Sequence, residues 1–486
     1  MRLSELFREV EFDGSIKNDA DINFVTDDSR LVRPGSLFVC IRHMNFDGHT
    51  AALDALASGA AAVVTQDRLG LENELHVADS RGAYARLCAA LCGHPERKLR
   101  MIGVTGTNGK TTVTTLIRNI LSDSGAKTLL TGTVCNRLGD ENLPSGLTTP
   151  KPPELYSLLS RAVLQGCKAC VMEASSQALA QGRLEGIDFD AAVFTNITRD
   201  HLDYHGTFEN YLSAKKKLFE HSTLSIVNLD DPRAGEIIAA AKGKVITFST
   251  VLDCADYTAK NISLLSDCVR FELVSKGHIE HIEFASPGLF SVSNAMAAVA
   301  CAINLGIEPK DAAQSLAKSK SVCGRLERVE CSAPYSVIID YAHTPDGLEQ
   351  VLRALRPSCQ GKLIVIFGCG GDRDRSKRPL MGAAACKYAD KIIVTSDNPR
   401  SEDPMKIIGD ILKGTDKKRR DLFVEPDRRK AIALALKTAE PGDTVLLAGK
   451  GHEKYQLIGG EKLPLDERET VREILGLSHD TGRKKQ

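Results

Sequence analysis

The sequence predicts an α/β protein of three domains, each built on a mainly parallel sheet. Three observations lead there. At 486 residues the chain exceeds what one core organises and reads as about three units of roughly 150 residues each. Apolar strand-like runs alternate with helical patterns along its length, the pattern of parallel sheets covered on both faces. The strand-like runs of the last third all stop at polar loops, and the carboxyl edge of such sheets is where ligands bind.

Taken in order, residues 1–97 read as a small α/β unit. Gly35–Ile41 and Ala61–Thr65 are its strands, with an alanine-rich helix over His49–Ser58 between them. The polar stretch CGHPERKLR (92–100) reads as a linker. Residues 98–325 form a second unit, whose further strands include Cys170–Met172, Ala192–Phe194 and Ser225–Val227. Residues 326–486 repeat strand, loop and helix four times and predict a Rossmann-like third unit.

Composition narrows the classes. Hydrophobic residues make up 42% and charged residues 26%, values ordinary for a globular protein. The 63 basic and 63 acidic residues cancel, and aromatic residues make up 5% with no tryptophan, so nothing favours nucleic acid. No apolar run approaches the ~20 residues of a membrane span, and MRLSELFREVEFDG lacks the pattern of a signal peptide. The 14 cysteines hold one tight pair, Cys167 and Cys170, with no second pair at zinc-site spacing. Reduced thiols and a cytoplasmic location are the expectation.

GVTGTNGKTT (103–112) is the strongest local signal. Gly106 and Gly109 let backbone N–H groups curl around phosphate oxygens, Lys110 brings charge to the terminal phosphates, and the Thr111 hydroxyl suits Mg²⁺. Val113, Leu116, Ile117, Ile120 and Leu121 recur at helical spacing, so the loop sits at a helix N-terminus whose dipole favours an anion. The strict P-loop pattern would place glycine at 104, where this chain has valine. Two further strand ends carry polar groups: VMEASS ends in Glu173, and VFTNITRDHLDYHG supplies Asp200 and His201. Glu173 and His201 are candidates to hold metal beside a triphosphate. The plainer alternatives are that Glu173 caps the next helix and that His201 satisfies its loop. Lys215-Lys216-Lys217, on sequence alone, is a solvated helix face.

Four strands of the third unit run into polar loops: Asp340–Pro345, GCGGDRDRSKRP (368–379), Asp397-Asn398-Pro399-Arg400, and Gly449–Glu453. Four such loops on one sheet edge make a cleft. The second carries Arg373, Arg375, Lys377 and Arg378, suited to phosphate or carboxylate, or else a solvated basic loop. Asn398-Pro399 is also a turn signal.

In this order, GVTGTNGKTT, EASSQAL, NITRDHLDYHG, SVSNAMAA, GRLE, DYAHTPDGL, GCGGDRDRSKRP, DNPR and GKGHEKYQ resemble the Mur ligases, from about Thr26 to Gln456. Within that family the wording is similar to the members that add the third peptide residue to UDP-MurNAc-L-Ala-D-Glu. Valine at 104 is usual there. The resemblance implies an N-terminal domain for UDP-MurNAc, a central ATPase and a C-terminal amino-acid domain. It also implies that ATP phosphorylates a glutamate carboxylate and that an amine attacks the acyl phosphate. It gives the ATP loop as Gly106, Thr107, Asn108, Gly109, Lys110, Thr111 and Thr112, with Asn294, Arg325 and Asp340 for adenine and ribose. Glu173, His201 and Lys215, the last as a carbamate, would join Thr111 around Mg²⁺; this reverses the solvated reading of Lys215.

Ser29, Met44, Asn45, Phe46, Thr148, Thr149, Ser175, Gln181 and Arg183 correspond to contacts with the UDP-sugar peptide. Arg373, Asp397, Asn398, Pro399, Arg400, Gly449 and Glu453 correspond to a meso-diaminopimelate site, with arginines for carboxylates and Glu453 for the distal ammonium. The chemistry agrees, because diaminopimelate differs from lysine by a second carboxylate that an arginine fork can pair. Implied partners are small molecules only, acting on a monomer. The rival readings are an L-lysine-adding member, a sister amide ligase of the folylpolyglutamate synthase kind, and a nucleotide-binding module without turnover.

Overall fold

The computed structural model describes residues 1–43, 46–319, 321–416 and 419–477. Three main sheets follow one another along the chain. The first has four parallel strands in chain order, Phe24–Thr26, Ser36–Val39, Ala60–Thr65 and Glu74–His76. Helix Ser80–Leu91 is buried nearly all round because it lies between this sheet and helix Pro152–Leu164. One apolar cluster therefore runs from Leu6 and Leu37 through Tyr84 to Met172 and Phe194, joining the first unit to one face of the second.

The second sheet has eleven strands. Arg100–Thr105 lies at its heart between Ala169–Glu173 and Ala191–Phe194, all parallel. Met101 packs on one face while Ile102 and Val104 pack on the other, so the strand reads as a continuous apolar run. Helices Lys110–Asp123 and Leu289–Asn304 cover the second face. Antiparallel pairings extend both ends, Asn136–Leu138 with Glu141–Leu143 on one side, and Tyr257–Leu264, Val269–Ser275 and His278–Phe284 on the other.

The third sheet orders its six strands Glu327–Arg328, Ser336–Asp340, Thr444–Ala448, Leu363–Phe367, Lys391–Val394 and Leu422–Val424. All but the first are parallel, so the four polar loops leave from one edge. A hairpin, Tyr455–Ile458 with Glu461–Pro464, folds back so that Ile458 pairs with Arg400.

Two expectations change. The stretch 92–100 is a packed junction: Pro95–Lys98 forms a 3₁₀ turn with Pro95 and Glu96 buried, Glu96 bonded to His94 and Arg97 paired with Glu9. The helix expected over 49–58 begins with a 3₁₀ turn, Gly48–Ala51, capped by Asp47, and is α-helical only over Ala52–Ala57. All 14 cysteines are unpaired, Cys167 and Cys170 among the buried ones. Among the described residues no helix is long and apolar enough to cross a membrane.

Candidate active site

A cavity of about 660 Å³ opens where the second and third units meet. Its floor is the loop after strand Arg100–Thr105, which leads into helix Lys110–Asp123. Gly106 has φ 153°, and a Cβ there would lie 1.9 Å from Thr195 Oγ1, so only glycine fits. Thr195 Oγ1 donates to the Asn108 carbonyl at 2.6 Å, and the Asn108 N–H donates to Asn196 Oδ1 at 3.0 Å, which fixes the curl. Lys110 Nζ folds back onto the carbonyls of Gly106 (2.9 Å) and Thr107 (3.0 Å). Burial lowers its pKa. Gly109, Thr111 and Thr112 complete the lining.

Glu173, at the end of its strand, is buried and accepts from Thr111 Oγ1 (3.0 Å), the Thr133 N–H (2.7 Å) and Thr133 Oγ1 (3.0 Å). It does not cap the following helix; Ser175 does, accepting from the Ala178 N–H. His201 stands in a left-handed conformation, φ 54°, with Nε2 3.4 Å from Asp200 Oδ2. Burial, reinforced by Lys110, His343 and Lys215, lowers its pKa to about 4 against the pull of Asp200. Lys215 is buried at 1% exposure while Lys217 is exposed, because helix Phe208–Glu220 turns its 215 face inward. Its Nζ donates to the Gly106 carbonyl at 2.9 Å and lies 4.6 Å over the Tyr211 ring. Burial and Lys110 hold its pKa well below the usual lysine range. The solvated reading of the lysine run thus fails at 215. The Thr111 hydroxyl and Glu173 carboxylate offer the hard oxygens a magnesium ion takes. As a free amine Lys215 offers none, and only carbamylation would make it a ligand.

Asn294, Arg325 and Asp340 line the same cavity from the far side. Arg325 donates to Thr111 Oγ1 at 3.1 Å and stacks 4.5 Å over the Tyr341 ring. Asp340, whose pKa burial raises, accepts from the N–H groups of Leu326 and Ala342. Thr148, Thr149, Ser175 and Arg183 line the opposite mouth, where Arg183 donates to the Thr149 carbonyl at 2.8 Å and to Gln181 Oε1. Ser29 opens a 3₁₀ turn two residues from Asp27, which pairs with Lys151, and Phe46 is exposed at the same end of the first unit. Met44 and Asn45 lie outside the described residues.

A second cluster gathers on the third sheet's edge, outside the cavity lining. Asp397 and Asn398 are buried, and Arg400 takes φ 54° while donating Nη1 to the Gly371 carbonyl at 2.8 Å. Lys450, fully buried, donates to Asn398 Oδ1 and Glu453 Oε2, both at 2.8 Å, and Asn398 Nδ2 donates to the same Glu453 oxygen. Glu453 therefore already shares its Oε2 with a cation of the chain. Gly449 donates its N–H to the Asp340 carbonyl at 3.0 Å, and Pro399 accepts from Glu402. Arg373 points back to Asp203 at 3.8 Å. Of the other basic residues in the loop only Arg378 turns inward, buried against Glu402 and Asp410, while Arg375 pairs with Glu402 from an exposed position. Arg378 is therefore a strut between helices Lys377–Tyr388 and Pro404–Leu412, not an anion site.

Residue patterns alone missed Thr133, Lys450, His343 and Asp346. Asp346 accepts from Asn108 Nδ2 at 3.1 Å, which ties the third unit to the phosphate loop, and His343 Nε2 lies 4.0 Å from Asp200, in the loop after strand Ala191–Phe194. The signal was present in DYAHTPDGL, which follows the strand Ser336–Asp340 at the carboxyl edge.

A phosphate loop with acid and lysine behind it, facing a cleft of strand ends, defines a nucleotide-dependent ligase. Family descriptions agree: "Mur ligase family, catalytic domain" matches residues 21–87, "Mur ligase middle domain" 104–302, and "Mur ligase, glutamate ligase domain" 324–451. The UDP-N-acetylmuramoyl-L-alanyl-D-glutamate–2,6-diaminopimelate ligase of Caldanaerobacter subterraneus subsp. tengcongensis is 44% identical, over 98% of this chain and 100% of its own. That of Syntrophomonas wolfei is 42% identical over 98% and 99%. A solved structure of a ligase of the same name superposes with TM-score 0.68 at 36% identity, covering 95% of this chain and 97% of that one. The fold is also that of a Thermotoga maritima MurF ligase in complex with ADP, TM-score 0.61 at 19% identity over 93% and 97%. The chain belongs to the Mur ligase family.

Proposed function

We propose that this chain uses ATP to join meso-2,6-diaminopimelate to the side-chain carboxylate of D-Glu in UDP-MurNAc-L-Ala-D-Glu, a step of peptidoglycan precursor synthesis in the cytoplasm, acting as a monomer. The observation that carries the reading is the pairing of the phosphate-loop cavity with the Arg400–Glu453 cluster. They are joined where the Gly449 N–H meets the Asp340 carbonyl. Residues 1–97 would hold the UDP-sugar, 98–325 the ATP, and 326–486 the amino acid.

The N–H groups of Gly109–Thr112, at the N-terminus of helix Lys110–Asp123, would hold the phosphates, those of Thr107 and Asn108 being taken by Asn196, and Lys110 would leave its carbonyl contacts to meet the terminal phosphate. The glutamate carboxylate oxygen attacks the γ-phosphorus and ADP leaves, giving an acyl phosphate. The free amine of diaminopimelate attacks that carbonyl carbon, the tetrahedral adduct expels inorganic phosphate, and the amine loses a proton. Both steps gather negative charge, which Lys110 and Arg325 stabilise. Thr111, Glu173, His201 and a carbamylated Lys215 would hold Mg²⁺, which when bound neutralises phosphate charge. Arg400, and Arg373 once it leaves Asp203, would pair the amino-acid carboxylates, Asn398 and Gly449 would shape the pocket, and Glu453 Oε1 would take the distal ammonium.

A site built around that extra carboxylate rejects L-lysine, because its arginine is left unpaired. Phosphate release with the UDP-dipeptide, ATP and either amino acid tests the proposal: release is expected with diaminopimelate, and equal release with lysine would overturn the specificity.

A further inference from the structure

Behind the amino-acid loops lies an ion pair with no solvent contact. Arg428 opens helix Arg428–Thr438 and Glu467 opens helix Glu467–Ile474, and both side chains are 0% exposed. Arg428 Nε donates to Glu467 Oε1 at 2.8 Å. Its two remaining arms reach backbone carbonyls, Nη2 to Ala448 at 2.8 Å and Nη1, more loosely, to Ser396 at 3.4 Å.

Stability alone is a weak reason for this arrangement, although Glu467 itself suits the first turn of its helix. A cation in the first turn of a helix opposes the macrodipole. A buried pair gains little over an apolar replacement of the same volume. Glu467 Oε2 moreover is buried without a hydrogen-bond partner among the described residues.

The carbonyls chosen give the reason. Ser396 immediately precedes Asp397-Asn398-Pro399-Arg400, and Ala448 immediately precedes Gly449–Glu453. The strands they end are not neighbours, since Leu363–Phe367 runs between them. A peptide unit is planar, so holding the Ala448 carbonyl fixes the plane carrying the Gly449 N–H, which donates to Asp340. Gln456 Nε2 also approaches the Ser396 carbonyl at 3.4 Å and donates more closely to the Asp397 carbonyl at 2.7 Å.

We infer that Arg428, held by Glu467, is a positioning residue that sets the spacing between the two amino-acid loops and thereby the selectivity for a dicarboxylic diamino acid. The inference rests on the proposed diaminopimelate site. Arg428 touches no substrate; it acts through the two loops.

The test compares Arg428→Lys, Arg428→Met and Glu467→Gln with the unaltered enzyme. Lysine keeps the charge but loses the fork. Arg428→Lys is expected to raise KM for diaminopimelate by about 10-fold. KM for ATP and the UDP-dipeptide should stay within about twofold, and the preference over L-lysine should fall. Glu467→Gln, which keeps an acceptor and the volume, should shift KM in the same direction by less, and carries the test if Arg428→Met does not fold. An unchanged KM, or a parallel rise in all three, overturns the inference. Amide exchange over 396–400 and 448–453 reads the clamp without any substrate. Faster exchange in Arg428→Lys supports it and unchanged exchange overturns it, even if the unaltered enzyme released no phosphate with diaminopimelate and the functional reading fell.

Discussion

Arg400 carries a conformational cost that its neighbours do not relieve. At φ 54° an L residue is strained, and here it is held by the Ile458 bridge and by the bond from its own guanidinium to Gly371. Strain of this kind collects where a side chain must be aimed. Arg400→Ala is expected to raise KM for diaminopimelate at least about 10-fold, with KM for ATP little changed, since among the described residues its hydrogen bonds go to Gly371, Asn398, Leu457 and Gly459. An unchanged KM in steady-state assays would remove Arg400 from the site. Arg400→Gly should match that kinetic loss yet unfold at higher denaturant than Arg400→Ala, by about 1 kcal/mol, because glycine adopts this φ freely. The turn that Asn398-Pro399 signals lies slightly further on: the Glu402 N–H closes on the Pro399 carbonyl at 3.0 Å, so Arg400 stands inside the turn and not after it.

At the scale of elements, the loops after Leu363–Phe367 and Lys391–Val394 interlock. A Cβ on Gly371 would stand 1.9 Å from the Pro399 carbonyl oxygen, while Glu402 takes both the Asp372 N–H and Arg378. Gly371→Ala is therefore expected to force the loops apart. It should destabilise the fold by roughly 1–3 kcal/mol, as overpacking does, and weaken diaminopimelate more than ATP. Thermal unfolding together with the two KM values checks it. The strand ends were legible because apolar runs stopping at glycine or charge mark the edge of a parallel sheet. Glu173's surroundings were not, since its partners come from a helix start, Thr111, and from a different strand end, Thr133, and no local pattern announces the meeting. Arg428 was illegible for the same reason, its acid Glu467 lying on another helix, and Lys450 because its burial beside the nearby Glu453 leaves no mark in the sequence. In sequence each is one basic residue among many, and only the fold buries it against an acid.

For the whole molecule, titration follows burial. His452, packed against Tyr341 with Arg325, Arg468 and Lys450 nearby, has its pKa lowered from 6.5 to about 4, chiefly by burial. The unfolded chain binds that proton below pH 6.5 and the folded one only near 4. Stability should thus fall as pH drops from about 6.5 to 4, with His201 adding to the same window. Glu402, held to about 2 by Arg378, adds a further loss only as pH falls from 4.5 towards 2. Urea midpoints at pH 7, 5.5 and 4.5 should decline, and His452→Asn should flatten the decline; a slope that variant leaves unaltered would contradict this.

The three-sheet order and the phosphate loop were readable because periodicity and glycine placement are local. How the third unit closes on the second was not, because Arg325–Thr111 and Asn108–Asp346 span more than 200 positions of sequence. That closure joins the two clusters into one proposed ligase site. Its most direct test is phosphate release from ATP with UDP-MurNAc-L-Ala-D-Glu, comparing meso-diaminopimelate with L-lysine at equal concentration. Release with diaminopimelate and near-background release with lysine is the expected result, and equal release with both, or with neither, would contradict it.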